Sequence, residues 1–251
     1  MELFTKKWLE ENGNSLEEWE QSAFQAFQNM IEDPDHLYPC IPGKQGFANH
    51  SLRFGFAGSP EDDQSCKQLG ELLKKYGEIS RETGKYASLV VFFDSRECAG
   101  EATIDDFEAK FWSILSKVHE LDDASWPEHI PLEPADHEWE FCFNEEPYFA
   151  FCATPAHVIR KSRHFPYFLI AFQPRWVFDE INASTTFGQK LKRAIRKRLT
   201  TYDGVDAHPS LKWYGQEDNL EWKQYFLNDD ASTPSKCPFT AMKNKFKKIQ
   251  T

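Results

Sequence analysis

Glu138-Trp139-Glu140-Phe141-Cys142-Phe143 and Tyr148-Phe149-Ala150-Phe151-Cys152 are the two stretches that decide the fold class of this 251-residue chain. Residues of different character alternate along both stretches, as they do in strands that bury one face. Asn144-Glu145-Glu146-Pro147 lies between them and is typical of a turn. The pattern therefore predicts an antiparallel β-hairpin.

Helices and strands follow one another irregularly around this hairpin. Ser15 and Glu18 form a capping pattern that predicts the start of a helix, which Asp33-Pro34 ends. Thr103 and Asp106 predict a second helix start of the same kind. The segment 37–50 is rich in proline and glycine and predicts an irregular loop. The remaining predicted elements are strands over 52–56, 86–93 and 165–172, a helix over 59–82 and a helix from about 185 to 203.

The order of these elements predicts the architecture. It contains at least one antiparallel pair and no regular alternation of strand and helix, which is typical of an α+β fold. We therefore predict a mainly antiparallel sheet flanked by helices. Residues 1–35 are expected to form an N-terminal helical segment that packs with residues 36–251 into one compact domain.

The composition argues against two classes of protein. No apolar run approaches the roughly 20 residues of a membrane helix, and the mean hydropathy is −0.64. The N-terminus has no pattern of an export signal, so we expect a cytoplasmic protein. The chain holds 40 acidic and 29 basic residues, a net charge of −11. This charge opposes general binding to nucleic-acid phosphates unless the basic residues cluster.

Aromatic residues are unusually frequent, with 22 phenylalanines, 8 tryptophans and 8 tyrosines. They predict either a dense aromatic core or a wall around a flat ligand. The six cysteines form no C-x-x-C pair and are expected to be thiols. The common hydrolase, metalloprotease and nucleotide-binding motifs are absent from the sequence.

A first candidate site is Tyr38-Pro39-Cys40-Ile41-Pro42-Gly43, which places a thiol between two prolines. The fixed φ angle of proline stiffens the backbone on both sides of Cys40. Such stiffness suits a group that must meet a ligand in one orientation. A buried structural cysteine in a turn explains the same sequence equally well.

A second candidate is the segment 154–164, which follows the hairpin and holds His157, Arg160, Lys161, Arg163 and His164. A histidine of this segment could ligate a haem iron, and the arginines could pair with the haem propionates. The alternative is a solvated basic loop.

A third candidate is the basic run from Lys190 to Arg198 in the last predicted helix. Leu191, Ala194, Ile195 and Leu199 are expected to face inward. The basic face could contact RNA or an acidic partner, or could simply be solvated. The net negative charge of the chain argues against RNA.

A set of short motifs stands in a definite order and spacing along the chain: Tyr38-Pro39-Cys40, residues 157–163, Phe165-Pro166, Gln173-Pro174-Arg175, residues 198–203, His208-Pro209, Tyr214-Gly215, Glu221-Trp222 and Cys237-Pro238-Phe239. With these segments in order, the chain resembles the YqcI/YcgG family over about residues 36–240. Tyr38 stands where the family's first motif has phenylalanine, a departure that leaves the thiol in place.

The resemblance implies haem b as the cofactor. Some family members are haem-dependent monooxygenases that hydroxylate the guanidine nitrogen of arginine or a related amino acid. On this basis His157 is expected to be the axial iron ligand, with His208 and Cys40 as alternatives, and Arg160 and Arg163 to meet the propionates. Thiolate ligation by Cys40 would favour O–O cleavage.

Such a reaction needs an amino-acid substrate, O₂ and an external electron donor, because the sequence has no flavin or nicotinamide fingerprint. A guanidinium substrate also needs a carboxylate, which the sequence does not single out among 40 acidic residues. A homodimer is compatible with the sequence. The alternative function is a non-enzymatic haem-binding or haem-sensing protein, which would share the iron ligand and lack the substrate carboxylate.

Overall fold

The computed structural model describes residues 1–98, 100–180, 185–212 and 216–239. These residues form a single α+β domain with seven α-helices and one five-stranded sheet. The helices are α1 (Lys6–Asn12), α2 (Glu18–Glu32), α3 (Ile41–Ala48), α4 (Asp63–Ile79), α5 (Ile104–Glu120), α6 (Arg175–Glu180) and α7 (Thr186–Asp203). The strands are β1 (Leu52–Ala57), β2 (Ser88–Phe93), β3 (Phe141–Phe143), β4 (Glu146–Ala153) and β5 (Phe168–Pro174). Within the described ranges, no helix is long and apolar enough to cross a membrane.

The sheet has the strand order β1-β2-β5-β4-β3. Only β1 and β2 pair in parallel, and α4 makes the crossover between them. The other three pairs are antiparallel. The predicted α+β class with a mainly antiparallel sheet is therefore confirmed.

The predicted hairpin consists of β3 and β4. Its turn is tighter than expected, because Asn144 (φ 51°) and Glu145 (φ 63°) alone connect the strands. Positive φ at two central residues is the geometry of the two-residue turn whose twist matches that of the flanking strands. Strand β4 consequently begins at Glu146 rather than near Tyr148.

Each face of the sheet carries its own aromatic layer. On the first face, α4 and α5 pack against side chains such as Phe93, Tyr148 and Phe172. On the second face, α2 and α3 pack over β1 and β2, where Phe27 makes edge contacts with Phe54 and Phe92. Helices α2 and α3 cover the β1–β2 half of this face, and the β4–β5 half carries the cavity described below.

Two helix starts show where local sequence patterns predict the cap correctly and where they do not. The Thr103 hydroxyl accepts a hydrogen bond from the Asp106 amide at 3.2 Å, as its capping pattern predicts. The Ser15 prediction is wrong, because the Ser15 hydroxyl donates to the Asn12 carbonyl. Glu17 is the cap instead, and its amide donates to the Glu20 carboxylate at 3.0 Å. The helix begins at the capping pattern of Glu17, two residues later, because Ser15 belongs to a short preceding 3-10 helix.

Helix α3 overturns the predicted loop over residues 37–50. Its prolines do not prevent a helix, because Cys40 is the N-cap and Pro42 lies in the first turn, where no intrahelical amide donor is needed. Gly46 lets the helix lie against β2, since a β-carbon there would stand 2.8 Å from the Tyr86 carbonyl oxygen. This close approach fixes the position of Cys40 relative to the sheet.

Candidate functional site

A cavity of about 580 Å³ opens on the second face of the sheet, over β4 and β5. Phe149, Phe151 and Gln173 of these strands line one side. The inner side of α7, including Leu191 and Ile195, lines another. The Cys40 segment and the 3-10 helix Lys161–Arg163 complete the wall. Its volume and mixed aromatic and polar lining are those of a small-molecule or cofactor site.

Cys40 presents its surface to this cavity. The residue is solvent-exposed by area, and its Sγ accepts a hydrogen bond from the Gly43 amide at 3.3 Å. The thiol nevertheless lies among the protein atoms of the cavity wall, and this burial raises its pKa. The Gly43 amide and the nearby Arg163 guanidinium act in the opposite direction and lower the pKa. Cys40 is thus a thiol at a helix N-terminus, accessible from a cavity and held in one place.

A smaller, apolar cavity of about 130 Å³ lies next to the first, between α2, α3 and the sheet. Both cavities are lined by Tyr38, Cys40, Phe149, Phe151 and Gln173. Cys40 therefore stands at the wall that the two cavities share, facing aromatic rings of β4.

The lining of the larger cavity carries more basic than acidic side chains. The basic ones are Arg160, Arg163, Arg175, Lys192, Arg196 and Lys212, and the acidic ones are Glu138, Asp179, Asp203 and Glu221. Burial, followed by the charge of Arg196, lowers the pKa of Lys192 to about 7. The excess of positive charge in this cavity favours an anionic ligand.

Arg163 is buried in the wall, where its guanidinium donates to the carbonyls of Cys152, Tyr225 and Gln224 at 2.9 to 3.2 Å. It also lies over the Phe151 ring, 4.2 Å from the centroid. Desolvation lowers its pKa to about 10. Arg163 therefore joins β4 to the chain beyond residue 223 and adds a positive charge to the cavity.

Arg160 has a similar structural role. Its guanidinium donates to the carbonyls of Asn228, Asp206 and Asp230 at 2.9, 3.1 and 3.4 Å. The Asp229 carboxylate accepts from the backbone amide of Arg160 and from the two amides before it. The segment predicted as a solvated loop or a haem site is therefore tied to residues 206–230.

His157 is 1% exposed, and both ring nitrogens already have partners. Nδ1 lies 2.8 Å from the Thr154 hydroxyl and Nε2 lies 2.8 Å from the Leu227 carbonyl. Burial lowers the pKa of the imidazole to about 4, so it is neutral at pH 7. His157 and His164 line a separate pocket of about 570 Å³, and neither lines the cavity over β4 and β5. The assignment of His157 as an iron ligand stays a prediction, and these contacts argue against it.

His208, the second histidine considered as an iron ligand, is also buried. Its Nδ1 accepts a hydrogen bond from the Ser210 amide at 3.1 Å, and burial lowers its pKa to about 4. It does not line the large cavity. Of the three ligand candidates, Cys40 is the one that faces this cavity.

Other wall residues were not singled out by the sequence. Asp203 accepts from both the amide and the hydroxyl of Ser162, at 2.7 and 3.0 Å, and so joins α7 to the 3-10 helix. Glu221 is 2% exposed, and its two carboxylate oxygens accept from the side-chain amides of Asn219 and Gln224. Glu221 belonged to a quoted motif, but nothing in the sequence distinguished it from the other acids.

The predicted inner face of α7 is largely as expected. Leu191, Ile195 and Leu199 line the cavity, whereas Ala194 is exposed. Tyr214-Gly215, a motif of the family resemblance, lies outside the described residues. Within the described part of the chain, no group of three or more His, Cys, Asp or Glu side chains is placed to hold a metal ion.

Comparisons with known proteins bear on this site. The sequence profile of the YqcI/YcgG family matches residues 27–240. Two Bacillus subtilis (strain 168) proteins of unassigned function are similar over nearly the whole chain. YcgG is 49% identical over 99% of this chain and 98% of its own, and YqcI is 50% identical over 98% of both.

A third relative carries a functional name, "Putative N(omega)-hydroxy-L-arginine synthase DcsA", and comes from Streptomyces lavendulae. It is 32% identical over 92% of this chain and 88% of its own. No solved structure matches the chain.

Proposed function

The chain belongs to the YqcI/YcgG family, and on this premise we propose that it is a haem-dependent monooxygenase that hydroxylates a guanidino nitrogen of arginine or a related amino acid. The name of the Streptomyces lavendulae relative supports the reaction. The observation that carries the proposal is the large cavity that brings the Cys40 thiol, three phenylalanine rings and six basic side chains together.

These residues fit haem b. The cavity of about 580 Å³ is of the size of cofactor sites, and Phe149 and Phe151 offer apolar ring surface to a flat ligand. Cys40 would hold the haem iron, because its thiol is accessible from the cavity whereas the nitrogens of His157 are engaged. The basic side chains of the wall other than Arg160 and Arg163, which donate to backbone carbonyls, would balance the two propionates.

The raised pKa of the Cys40 thiol is compatible with this role. Desolvation disfavours a bare thiolate, but coordination to iron removes the proton and neutralises the negative charge. The Gly43 amide, which already donates to Sγ, would stabilise the bound thiolate. When bound, thiolate-ligated haem supplies the reductive activation of O₂.

Glu221 is the carboxylate that we assign to the substrate. It lies in the cavity wall, is buried, and is oriented by the amides of Asn219 and Gln224. A carboxylate can accept two parallel hydrogen bonds from a guanidinium group, which fixes both the position and the plane of the substrate. Asp203 has a different role, because its hydrogen bonds from the Ser162 amide and hydroxyl join α7 to the 3-10 helix.

The apolar side of α7 would exclude water from the reacting nitrogen. Leu191, Ile195 and Leu199 line the cavity together with Gln224 and Glu221. In the overall reaction, the guanidine N–H, O₂, two electrons and two protons give N–OH and one water. An external donor supplies the electrons.

The test is turnover with labelled dioxygen. The protein is expressed with haem, its Soret band is recorded, and it is given a chemical reductant, O₂ and a panel of guanidino and amino compounds. We expect one added oxygen in the product by mass spectrometry, with label from dioxygen and none from labelled water.

Glu221→Gln should retain haem and lose turnover of guanidino substrates. Protein without a Soret band would contradict the haem proposal. Full haem occupancy with no labelled product from the panel would contradict the enzyme proposal and leave a haem-binding protein.

A further inference from the structure

The outer side of α7 carries an uncompensated positive charge. Residues 186–203 hold six of the 29 basic residues of the chain and one of its 40 acidic residues. Lys190, Arg193 and Lys197 follow one another at helical spacing, and all three are exposed. Among the residues that the structure describes, none of these three forms an ion pair.

Several lysines of other helices form ion pairs. Lys117 of α5 pairs with Asp63 at 2.7 Å, and Lys110 pairs with Glu61 at 2.9 Å. Lys6 of α1 pairs with Glu32 at 2.8 Å. Exposed lysines of α4 such as Lys67 and Lys74 have no ion pair among the described residues either, but α4 also carries acidic residues, whereas α7 has one acidic residue for its six basic ones.

An exposed aromatic ring lies at the end of this row. Phe187 is 58% exposed and precedes Lys190 by three residues, so both lie on the same side of α7. A large apolar side chain bordered by charges is the composition of a protein-binding patch. The stripe from Phe187 to Lys197 is about 15 Å long, which suits the small interfaces of transient electron-transfer complexes.

The opposite side of the same helix lines the cavity. Leu191, Ile195 and Leu199 face it, so the basic stripe and the cavity are separated by the thickness of one helix, about 10 Å. A protein that docks on the outer side of α7 would therefore be separated from the cavity by this helix alone. Proximity of this kind is what electron delivery requires.

We propose that the stripe formed by Phe187, Lys190, Arg193 and Lys197 is the docking surface for an acidic redox protein that delivers electrons to the cavity. This inference rests on the proposed function, which needs an external donor. The overall charge of −11 repels an acidic partner at long range, but beyond about 8 Å that repulsion is screened at physiological ionic strength. At contact the local cations dominate.

The test uses an acidic plant-type ferredoxin as the probe, with the haem-loaded full chain. Binding is measured by biolayer interferometry for wild type, for Lys190→Glu/Arg193→Glu/Lys197→Glu, and for Lys67→Glu/Lys74→Glu/Lys85→Glu. The second triple variant makes the same charge change at exposed lysines of α4 and the loop before β2. We expect at least about tenfold weaker binding for the α7 variant and less than about twofold change for the control.

Two further readouts separate this inference from the proposed function. Haem content and turnover with a chemical reductant should be unchanged in the α7 variant, whereas ferredoxin-driven turnover should fall with the loss of binding. Raising the salt from about 0.1 M to about 0.5 M should weaken wild-type binding.

Several results would overturn the docking surface: no ferredoxin binding by wild type, equal loss in both triple variants, or α7-dependent binding of a mixed-sequence single-stranded RNA in place of ferredoxin. Absence of turnover with the chemical reductant would instead overturn the proposed enzyme.

Discussion

The segment 154–164 and the wall around Cys40 are neighbours in space, yet they use their chemistry in opposite ways. The first is dense in histidine and arginine, and the described partners of His157, Arg160 and Arg163 are groups of the protein itself. The second contains one thiol between prolines, and that thiol faces a cavity. The Tyr38 hydroxyl joins the two regions by donating to the Ser162 carbonyl at 3.1 Å.

The difference shows that a segment rich in reactive side chains need not offer them to a ligand. Buried carbonyls of β4 and of residues 206–230 need donors, and arginine provides several in a fixed geometry. The arginines of the loop satisfy these carbonyls and are thereby committed to the fold. Cys40 caps a helix with one weak hydrogen bond and keeps an accessible surface.

The largest expected effect concerns the structural role of Arg163. Arg163→Ala removes three hydrogen bonds to buried carbonyls and the contact with the Phe151 ring. Since each bond from a charged donor contributes roughly 1.5–3 kcal/mol, partly offset by relaxation, we expect a loss of about 4 kcal/mol in the free energy of unfolding. Urea unfolding followed by tryptophan fluorescence measures it.

The control for this variant is Arg193→Ala, at an exposed position on α7, which should stay within about 0.5 kcal/mol of wild type. An Arg163→Ala protein as stable as wild type would show that the hydrogen bonds of Arg163 do not stabilise the fold.

The next effect sharpens the assignment of Cys40. Cys40→Ala should weaken haem binding by more than about 100-fold, since even partners of metal ligands change affinity by up to that factor. Cys98→Ala is the matched control, because Cys98 is partly exposed and lies outside the cavity wall. Haem titration at the Soret band measures both.

His157→Gln should retain haem, because both ring nitrogens of His157 are engaged with the protein. If instead His157→Gln loses haem and Cys40→Ala keeps it, then His157, the ligand predicted from the sequence, holds the iron and Cys40 does not.

The free energy of unfolding should change with pH by about 2 kcal/mol because of His157. Its pKa is about 4 in the folded protein and 6.5 when unperturbed, so the unfolded chain binds the proton first as the pH falls. Stability should therefore be lost as the pH drops from about 6.5 towards 4, and His157 should contribute about 2 kcal/mol of this loss between pH 7 and pH 5.

Urea unfolding at both pH values checks this slope. His208 acts in the same direction, because burial lowers its pKa to about 4 as well. His157→Gln should flatten the dependence by about its own share. A slope unchanged by the substitution would mean that His157 is not held neutral.

The smallest expected effect concerns the contact between the two regions. Tyr38→Phe keeps the aromatic ring and removes the hydrogen bond to Ser162. We expect a loss of about 1 kcal/mol in stability and little change in haem affinity. Tyr86→Phe is the control, because the structure gives its hydroxyl no partner among the described residues. A large loss of haem in Tyr38→Phe would show that the hydroxyl positions Cys40.

The sequence by itself determined the fold class, the hairpin, the capped start of α5 and the amphipathic character of α7. These features depend on neighbours along the chain: alternation, turn residues and caps act within a few positions. The same local reasoning failed at residues 41–48, where Pro42 sits in the one turn of a helix that tolerates proline.

Only the tertiary structure decided which groups face the cavity. The partners of His157 and Arg163 lie about 60 to 70 positions further along the chain, at Leu227, Tyr225 and Gln224. Glu221 meets the cavity because residues 219–227 pack against β4, where the Cys152 amide donates to the Tyr225 carbonyl. Whether a polar side chain is satisfied or available depends on such distant partners, because burial leaves no water to replace them. Local sequence patterns do not encode those pairings.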